Sequence, residues 1–308
     1  MISIGIIGDG GHSRRIQKIL KKKKLKYFIY KPDRPKYFDK SAFAKLKKCK
    51  AIFIVSPNNT HYQYIHKLRQ GRYIFCEKPP VTNLKDLNKL KKINNGKIYF
   101  NFNFRFLKIS EILKNTKKYN LGNLLYANLI SSHGLSLKKK EYLNSWRSNI
   151  NKCPSGVFEI VSIHYIDLIN FFFDIKNFKG PKLINYSGIG TSFDTSHVEL
   201  KLNNNSIINI FVTYNSAYIK KFFFLFSNGF IEQNNNQIFV KGPAMNFDKK
   251  GFFKYPKTII KYNIKDNKDY ENSLFKSVSI FLNHVKKNKS FTNKSFNTSI
   301  KSNKLLLK

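Results

Sequence analysis

Several kinds of residue are scarce in this chain of 308 residues, and each shortage excludes a class of protein. Its cysteines, Cys49, Cys76 and Cys153, are too widely spaced for a disulfide framework or a zinc site, and isolated thiols suit a reducing cytoplasm. No apolar run reaches the roughly 20 residues that a membrane-spanning helix needs. The sequence opens as a strand entering a glycine turn, not as a charged and then apolar leader. We therefore expect a cytoplasmic protein without a metal site.

Acidic residues are scarce too, with 17 Asp and Glu against 57 Lys and Arg and a formal net charge of +40. This excess is typical of proteins that bind nucleic acid or an anionic membrane. However, arginine, whose planar fork suits phosphate, supplies only seven of the 57, and the lysines are spread along the chain. An AT-rich genome encodes the same abundance of Lys, Asn, Ile, Phe and Tyr. We expect no nucleic-acid or membrane partner, and expect the charge to attract anionic substrates and cofactors.

Apolar residues are abundant, at 42% of the chain, so a sizeable core can form, and the length suggests two domains. Up to about residue 118, short β-branched runs alternate with segments of helical spacing, which predicts βαβ units around a parallel sheet. The sequence therefore predicts an α/β fold whose first domain, residues 1–118, is a doubly wound Rossmann sheet.

The alternation of strands and helices ends in the second predicted domain, residues 119–308. A helix is expected at 157–173, and extended segments separated by Asn-rich turns follow between 182 and 240. Two helices are expected near the end of the chain, at 270–286 and 298–307. This pattern predicts an α+β domain built on a large, mostly antiparallel sheet.

A glycine turn connects the first predicted strand to the first predicted helix. In the order Gly8, Asp9, Gly10, Gly11, His12, Ser13, the first glycine permits a tight turn and Gly10 lets the backbone approach a pyrophosphate at the helix N-terminus. Ser13 replaces the third glycine of the usual fingerprint, and His12 is expected near the pyrophosphate. The motif indicates dinucleotide binding, and the alternative is a purely structural turn.

The end of the second strand, where many such sites hold an acidic residue for the ribose, carries Lys31 instead. Lys31 or Arg34 would pair with a 2′-phosphate, which favours NADP slightly over NAD. The alternative is that Lys31 is one of many surface lysines.

Further along, Glu77-Lys78-Pro79 ends the fourth strand, and Ser56-Pro57-Asn58-Asn59-Thr60-His61 follows the third. Together with the segments at 101–106, 146–147 and 164–167, these motifs resemble the Gfo/Idh/MocA oxidoreductases, the relatives of glucose–fructose oxidoreductase and inositol dehydrogenase. The resemblance covers about residues 2–175, and Glu-Lys-Pro is its specific part. It implies an NAD(P)-dependent enzyme that oligomerises through its second sheet, as a homodimer or homotetramer.

The resemblance also implies two catalytic residues. Lys78 would contact the nicotinamide ribose and the substrate hydroxyl, where an ammonium favours a developing alkoxide. His164 would act as acid, base or hydrogen-bond donor at the same hydroxyl, although a histidine in such an apolar segment can also be a core residue. Glu77 would hold the loop, and family members commonly have a cis bond before the proline.

Many family members carry an aspartate four residues before this histidine, and here that position is Ile160. The acid lies at Glu159, and one residue along a helix is a rotation of about 100°. Either Glu159 replaces the aspartate through a local shift, or the proton path lies with Lys78 and His164 alone. The departure also leaves open a variant of the family that does not oxidise its substrate.

The remaining candidates are expected to surround the same reaction. Ser56, Asn58 and His61 would approach the cofactor, with capping of the next helix by Asn59 or Thr60 as the alternative. The expected substrate contacts are Arg105, Trp146, Arg147, Glu159, His164 and Asp167, of which Arg105 would pair with a carboxylate or phosphate.

The resemblance therefore predicts hydride transfer between NAD(P) and a hydroxyl or keto carbon of a sugar or nucleotide sugar, with surface-polysaccharide synthesis as the expected role. Two alternatives stay open at this point. One is a reductase of imines or conjugated substrates with the same fold, and the other is a non-catalytic binding protein on a Rossmann scaffold.

Overall fold

The chain folds into two compact units, Met1–Asn103 with Asn272–Lys308, and Phe104–Glu271. The computed structural model describes residues 2–31, 40–93, 96–243 and 247–307. The segment Asn272–Lys308 groups with the first unit, whereas the sequence predicts residues 119–308 as one domain. Helical spacing identifies a helix but does not identify the sheet that its apolar face covers.

The first unit contains a five-stranded parallel sheet in the order β2-β1-β3-β4-β5. Its strands are β1 (Ile4–Ile7), β2 (Tyr27–Tyr30), β3 (Ala51–Ile54), β4 (Tyr73–Glu77) and β5 (Ile98–Asn101). All strands except β2 are buried along their whole length, as expected for a parallel sheet covered on both faces. The register pairs Ile7 with Ile54 and Ile54 with Cys76, so the residues that follow β1, β3 and β4 emerge at one edge.

Helices of amphipathic sequence accompany this sheet. They are α1 (Gly11–Lys22), α2 (Lys40–Lys47), α3 (His61–Leu68), α4 (Leu84–Lys92), α8 (Asp266–Lys287) and α9 (Asn293–Leu306). In α1 the buried residues Ile16, Ile19 and Leu20 recur at helical spacing and join the core.

Aromatic packing fixes α8 in the first unit. The Phe281 ring lies 5.1 Å from the Phe53 ring and 5.4 Å from the Phe75 ring, in edge-to-face geometry. Helix α9 is held by the Asn303 side chain, which accepts from the Val81 backbone N–H at 2.8 Å and donates to the Val81 carbonyl at 3.1 Å. The carboxy-terminal helices therefore support β4 and the segment that follows it.

The second unit contains an eight-stranded sheet in the order β13-β12-β11-β10-β6-β9-β8-β7. Its strands are β6 (Leu124–Ser132), β7 (Ile175–Ile184), β8 (Thr195–Leu202), β9 (Ile207–Thr213), β10 (Ile219–Phe226), β11 (Gly229–Asn234), β12 (Gln237–Lys241) and β13 (Thr258–Asn263). All neighbours pair antiparallel except β6 and β9. The predicted fold class, a Rossmann sheet followed by a large and mostly antiparallel sheet, is confirmed.

Three helices complete the second unit, namely α5 (Lys108–Leu113), α6 (Lys139–Leu143) and α7 (Ile163–Phe172), and a π-helical turn at Phe158–Ser162 leads into α7. Alternate residues of the sheet are buried, among them Val198, Leu200, Ile208 and Ile210. Within the described part of the chain, no helix combines the length and apolar character needed to cross a membrane.

Candidate active site

The glycine turn after β1 is held tightly by its neighbours. Gly8 adopts a φ of +101°, and a Cβ at this position would lie 2.6 Å from the Val55 carbonyl oxygen. Its N–H donates to the Tyr30 carbonyl at 2.9 Å. The buried Ser13 hydroxyl donates to the Gly8 carbonyl at 2.8 Å, so the serine in the third glycine position ties the turn to α1.

The next two glycines leave the start of α1 open. A Cβ at Gly10 or at Gly11 would meet no atom of the described residues within 4 Å. The first turn of α1 holds no acidic residue, and its first N–H groups have no partner within the helix. Positive dipole, free N–H groups and open space suit a bound pyrophosphate, so the residues present fit a dinucleotide.

The contrast between these glycines gives a testable prediction. Gly8→Ala is expected to lower the free energy of unfolding by about 2 kcal/mol or more, because it combines a left-handed φ with a backbone clash. Gly10→Ala is expected to leave stability nearly unchanged and to weaken dinucleotide binding at least about tenfold, because the added methyl group occupies the open space. Thermal unfolding and fluorescence titration separate the two effects. Equal stability of both variants would contradict the assignment.

Glu77 links this turn to the end of β4. Its Oε1 lies 2.8 Å from Nε2 of His12, and the Asn101 amide donates to the same oxygen at 2.7 Å. Burial by itself raises the pKa of Glu77, but the charge and hydrogen bond of His12, the Asn101 hydrogen bond and the charge of Lys78 outweigh it and lower that pKa. The carboxylate therefore stays ionised and connects α1, the helix that follows the glycine turn, with the end of β4, directly before Lys78.

Lys78 is half-buried and comes directly after β4, at the carboxyl edge of the parallel sheet. The bond between Lys78 and Pro79 is cis, as the resemblance implied. Open α/β sheets place their ligands at this edge, and Lys78 shares it with the glycine turn.

The His61 ring joins two loops instead of presenting a free nitrogen. It is fully buried, its Nδ1 lies 2.8 Å from the Pro79 carbonyl oxygen, and its Nε2 lies 3.0 Å from the Ser56 carbonyl oxygen. Burial lowers its pKa, against the effect of both carbonyls. Both ring nitrogens therefore have backbone carbonyl partners, and a contact of His61 with the cofactor stays a prediction.

The Thr60 side chain does not cap the helix that follows it, which was part of the alternative interpretation of this loop. The Thr60 hydroxyl lies 2.6 Å from the Ser56 hydroxyl and donates to the Pro57 carbonyl at 2.7 Å, and it makes no capping hydrogen bond to α3. Asn58 begins the short 3₁₀ turn Asn58–Thr60. Contacts of Ser56 and Asn58 with the cofactor stay predictions.

Lys31 does not present an unpaired charge. Its Nζ lies 2.7 Å from Oδ2 of Asp9, the residue between the first two glycines. The Gln17 amide donates to Oδ1 of the same carboxylate at 3.2 Å. Arg34, the other residue predicted to read a 2′-phosphate, lies outside the described residues.

In the second unit, His164 is 8% exposed and its ring stacks on Phe104, with ring centroids 4.2 Å apart. Asp167, one turn further along α7, forms a two-point ion pair with Arg105, Nε to Oδ2 at 2.7 Å and Nη2 to Oδ1 at 2.6 Å. Both side chains are buried, and the guanidinium lies over the Phe171 ring. Asp167 thus neutralises the charge of Arg105 within the protein, and the substrate contacts predicted for these two residues stay predictions.

The turn before His164 is a π-helix, in which the Ile163 N–H donates to the Phe158 carbonyl five residues earlier. This spacing accommodates one residue more per turn than an α-helix does. Glu159, five residues before His164, thus takes the position that a residue four before it has in a continuous α-helix. A backbone shift of this kind is what one of the two alternatives requires, and replacement of the aspartate by Glu159 stays a prediction.

Glu159 is buried beside the Cys153 thiol. Burial raises the pKa of Cys153, and the charge and hydrogen bond of Glu159 raise it further. Trp146 and Arg147 lie in the 3₁₀ turn Trp146–Ser148, where the Arg147 guanidinium is 4.8 Å from the Trp146 ring centre. Trp146 is 37% exposed, so part of its indole is open to a ligand.

Several partners of the candidate residues were missed by sequence reasoning. They are Asp9 beside Lys31, Asn101 beside Glu77, Phe104 under His164 and Cys153 beside Glu159. Asp9 carried a signal, since a carboxylate is rare in this basic chain and it lies inside the glycine motif. The described residues contain no group of three or more His, Cys, Asp or Glu side chains placed to hold a metal ion.

Comparison with known proteins gives a family match for part of the chain. Residues 12–98 match the family model of the Gfo/Idh/MocA proteins, described as an oxidoreductase family with an NAD-binding Rossmann fold. A sequence comparison with curated proteins finds no match.

Solved structures resemble the chain over nearly its whole length. A dehydrogenase (MviM) from Clostridium difficile has a TM-score of 0.73 at 19% identity, with 99% of this chain and 97% of that chain covered. A myo-inositol dehydrogenase from Corynebacterium glutamicum has a TM-score of 0.71 at 18% identity, covering 99% and 94%. The UDP-N-acetylglucosamine 3-dehydrogenase GnnA from Acidithiobacillus ferrooxidans has a TM-score of 0.73 at 13% identity, covering 99% and 96%. The resemblance is thus confirmed: residues 12–98 match the model of the Gfo/Idh/MocA oxidoreductase family with its NAD-binding Rossmann fold, and the whole chain has the fold of these dehydrogenases.

Proposed function

We propose that this protein is a nicotinamide-dependent oxidoreductase that interconverts a hydroxyl and a keto group of a sugar or nucleotide sugar. The observation that carries the proposal is the connection of two parts of one site. Glu77 bonds to His12 in the first turn of α1, beside the open glycine turn, and precedes Lys78 at the end of β4. The chain thus joins a dinucleotide cradle to an ammonium group of the type that stabilises an alkoxide.

The chain's own residues would manage the proton while a bound nicotinamide accepts or supplies the hydride. Lys78 would lower the energy of the alkoxide that forms on the substrate. His164, held flat against Phe104, would exchange the proton of the same hydroxyl. Glu159, brought into phase with His164 by the π turn, would position the substrate or support the proton transfer.

The substrate class follows from two observations. The net charge of +40 attracts anions to the molecule, which favours a sugar that carries phosphate. One structure of the same fold is a UDP-N-acetylglucosamine dehydrogenase and another is an inositol dehydrogenase, and both act on polyhydroxylated molecules. A nucleotide sugar used in surface-polysaccharide synthesis is the substrate that we propose.

A titration followed by a substrate panel tests the function. Binding of NADH and NADPH is first followed by their fluorescence. UDP-sugars, free sugars and inositols are then screened for reduction of added NAD⁺ or NADP⁺, and keto sugars and imines for oxidation of added NADH or NADPH. The proposal expects binding of at least one dinucleotide and turnover of a polyol. Binding without turnover of any polyol, keto sugar or imine would favour the non-catalytic scaffold, and absence of binding would refute the function.

We also propose that the open face of the second sheet joins copies of the chain into a homodimer or homotetramer. A shallow depression on this face is lined by Ile130, Tyr186 and Phe211, and Ile184 and Tyr186 are 38% and 62% exposed. Such a face is typical of a buried interface. Light scattering at micromolar concentration is expected to give a multiple of 36.1 kDa, and a monomeric mass would contradict the proposal.

A further inference from the structure

The carboxylate of Asp9, which belongs to the glycine turn, lies beside Lys31, the first residue after β2; β2 itself contains no acidic residue. The β2 strand ends at Tyr30, and the next residue is Lys31. Rossmann sites hold the adenosine ribose at this strand end with a carboxylate for NAD, or with a cation for the 2′-phosphate of NADP. Here the Asp9 carboxylate, coming from the glycine turn, lies 2.7 Å from the Lys31 ammonium. Asp9 and Lys31 therefore form an ion pair at the strand end where Rossmann sites hold the adenosine ribose, the part in which NAD and NADP differ.

We propose that Asp9, paired with Lys31, is the carboxylate that binds the ribose hydroxyls, so that the site prefers NAD(H) to NADP(H). This inference rests on the proposed function and adds the identity of its cofactor. It reverses the expectation drawn from Lys31 alone, because the structure gives that lysine an anionic partner.

The geometry leaves Asp9 able to accept a ligand. One carboxylate oxygen accepts from Lys31 and the other from Gln17, at 2.7 and 3.2 Å, and each carboxylate oxygen can accept a further hydrogen bond. The Asp9 side chain is 24% exposed and that of Lys31 is 36% exposed, so a ligand can reach the pair. The Gln17 amide is also 3.1 Å from the Ser13 hydroxyl, which fixes the amide on the helix that begins at the pyrophosphate site.

The charges around the pair keep the carboxylate ionised. The hydrogen bond from Lys31, then that from Gln17, and the charges of Lys31 and Arg14 together lower the pKa of Asp9. A 2′-phosphate brought to Lys31 would approach this anion, and two like charges in contact are unfavourable. A ribose 2′-hydroxyl carries no charge and can donate to it.

Dissociation constants for NADH and NADPH, measured by fluorescence titration at fixed ionic strength, test the assignment without depending on turnover. The wild-type protein is expected to bind NADH more tightly. Asp9→Asn is expected to weaken NADH and strengthen NADPH, with a change of at least about tenfold in the ratio of the two constants, since one charge-assisted hydrogen bond and one repulsion are removed. Circular dichroism shows whether the variant is folded.

Two further variants make the result specific. Asp86→Asn removes one negative charge from the same unit at the start of α4, away from the glycine turn, and is expected to leave the ratio unchanged. Lys31→Met is expected to keep NADH binding within about threefold, because Asp9 and not the lysine contacts the ribose.

The outcomes separate this inference from the function on which it rests. A wild-type preference for NADPH that disappears in Lys31→Met would overturn the role of Asp9 and leave the oxidoreductase function standing. A ratio unchanged in folded Asp9→Asn would overturn it as well. If the wild-type protein binds neither dinucleotide, the proposed function fails and this inference fails with it.

Discussion

Lys78→Ala is expected to reduce turnover at least about a hundredfold and to leave dinucleotide affinity within a few-fold of the wild type. The reason is that an ammonium beside a developing alkoxide acts in the transition state far more than in the bound ground state. The main cofactor contacts that we propose, the glycine turn and the first turn of α1, are separate from the side chain that is removed.

The matched control is Lys85→Ala, which removes an exposed lysine from α4 in the same unit. Both variants lower the net charge by one, so a loss caused by weaker steering of an anionic substrate would occur in both. Lys78→Arg adds a second test, because arginine keeps the charge but releases a proton far less readily. If Lys78 acts only as a charge, the arginine variant recovers most of the activity, and if it relays a proton, activity stays low.

The measurement is the rate of cofactor oxidation or reduction with a substrate found in the panel, together with the titrated dissociation constant. Loss of turnover with intact cofactor binding supports the assigned role. Equal activity of Lys78→Ala and Lys85→Ala would refute it, and loss of both binding and folding in Lys78→Ala would show that the lysine serves the structure.

Most of the fold could be predicted from local patterns in the sequence. Strands such as Ala51–Ile54 are continuous apolar runs because both faces of a parallel sheet are covered, and this pattern differs visibly from the alternation in Thr195–Leu202. The parallel pairing of β6 with β9 in the second sheet, and the packing of Phe281 against Phe53, could not be predicted. They depend on contacts between residues far apart in the chain.

The site was predictable where a motif fixes the backbone and unpredictable where a side chain selects its partner. The glycine turn, the cis bond before Pro79 and the strand end at Lys78 were all expected. By contrast, helical periodicity assumes a constant number of residues per turn, so it placed Glu159 about 100° away from the expected position. The π turn at Phe158–Ser162 brings Glu159 back into phase with His164, and no residue in this segment indicates such a turn from the sequence.

Arg105 illustrates why the partner of a charged side chain cannot be predicted from the sequence alone. As a sequence position it was an arginine in a segment that resembles a substrate site, and the expected partner was a ligand. In the structure its partner is Asp167, 62 residues later, and both side chains are nearly inaccessible to solvent. An ion pair of this kind supports the helix that carries His164.

This pair yields the largest expected effect on stability. Arg105→Met is expected to lower the free energy of unfolding of the second unit by about 3–5 kcal/mol, because it leaves the Asp167 carboxylate buried without its counter-charge. Trp146, the single tryptophan, lies in this unit, so its fluorescence during urea denaturation follows the unit that contains the pair. The control is Glu111→Gln, which breaks the half-buried ion pair with Lys108 and is expected to cost less than about 1 kcal/mol.

The double variant Arg105→Met with Asp167→Leu separates the cost of an unpaired charge from the value of the pair. Apolar replacement of both partners removes the uncompensated charge, so most of the lost stability is expected to return, as in other proteins whose buried ion pairs were replaced by packed apolar residues. Turnover is expected to stay low even in the stable double variant, because the two-point pair holds α7, and with it the His164 ring, in one orientation. If the double variant is both stable and fully active, the pair has no part in positioning His164. If Arg105→Met lowers the free energy of unfolding no more than Glu111→Gln does, the Asp167 carboxylate finds another counter-charge, and the buried pair is not what stabilises this helix.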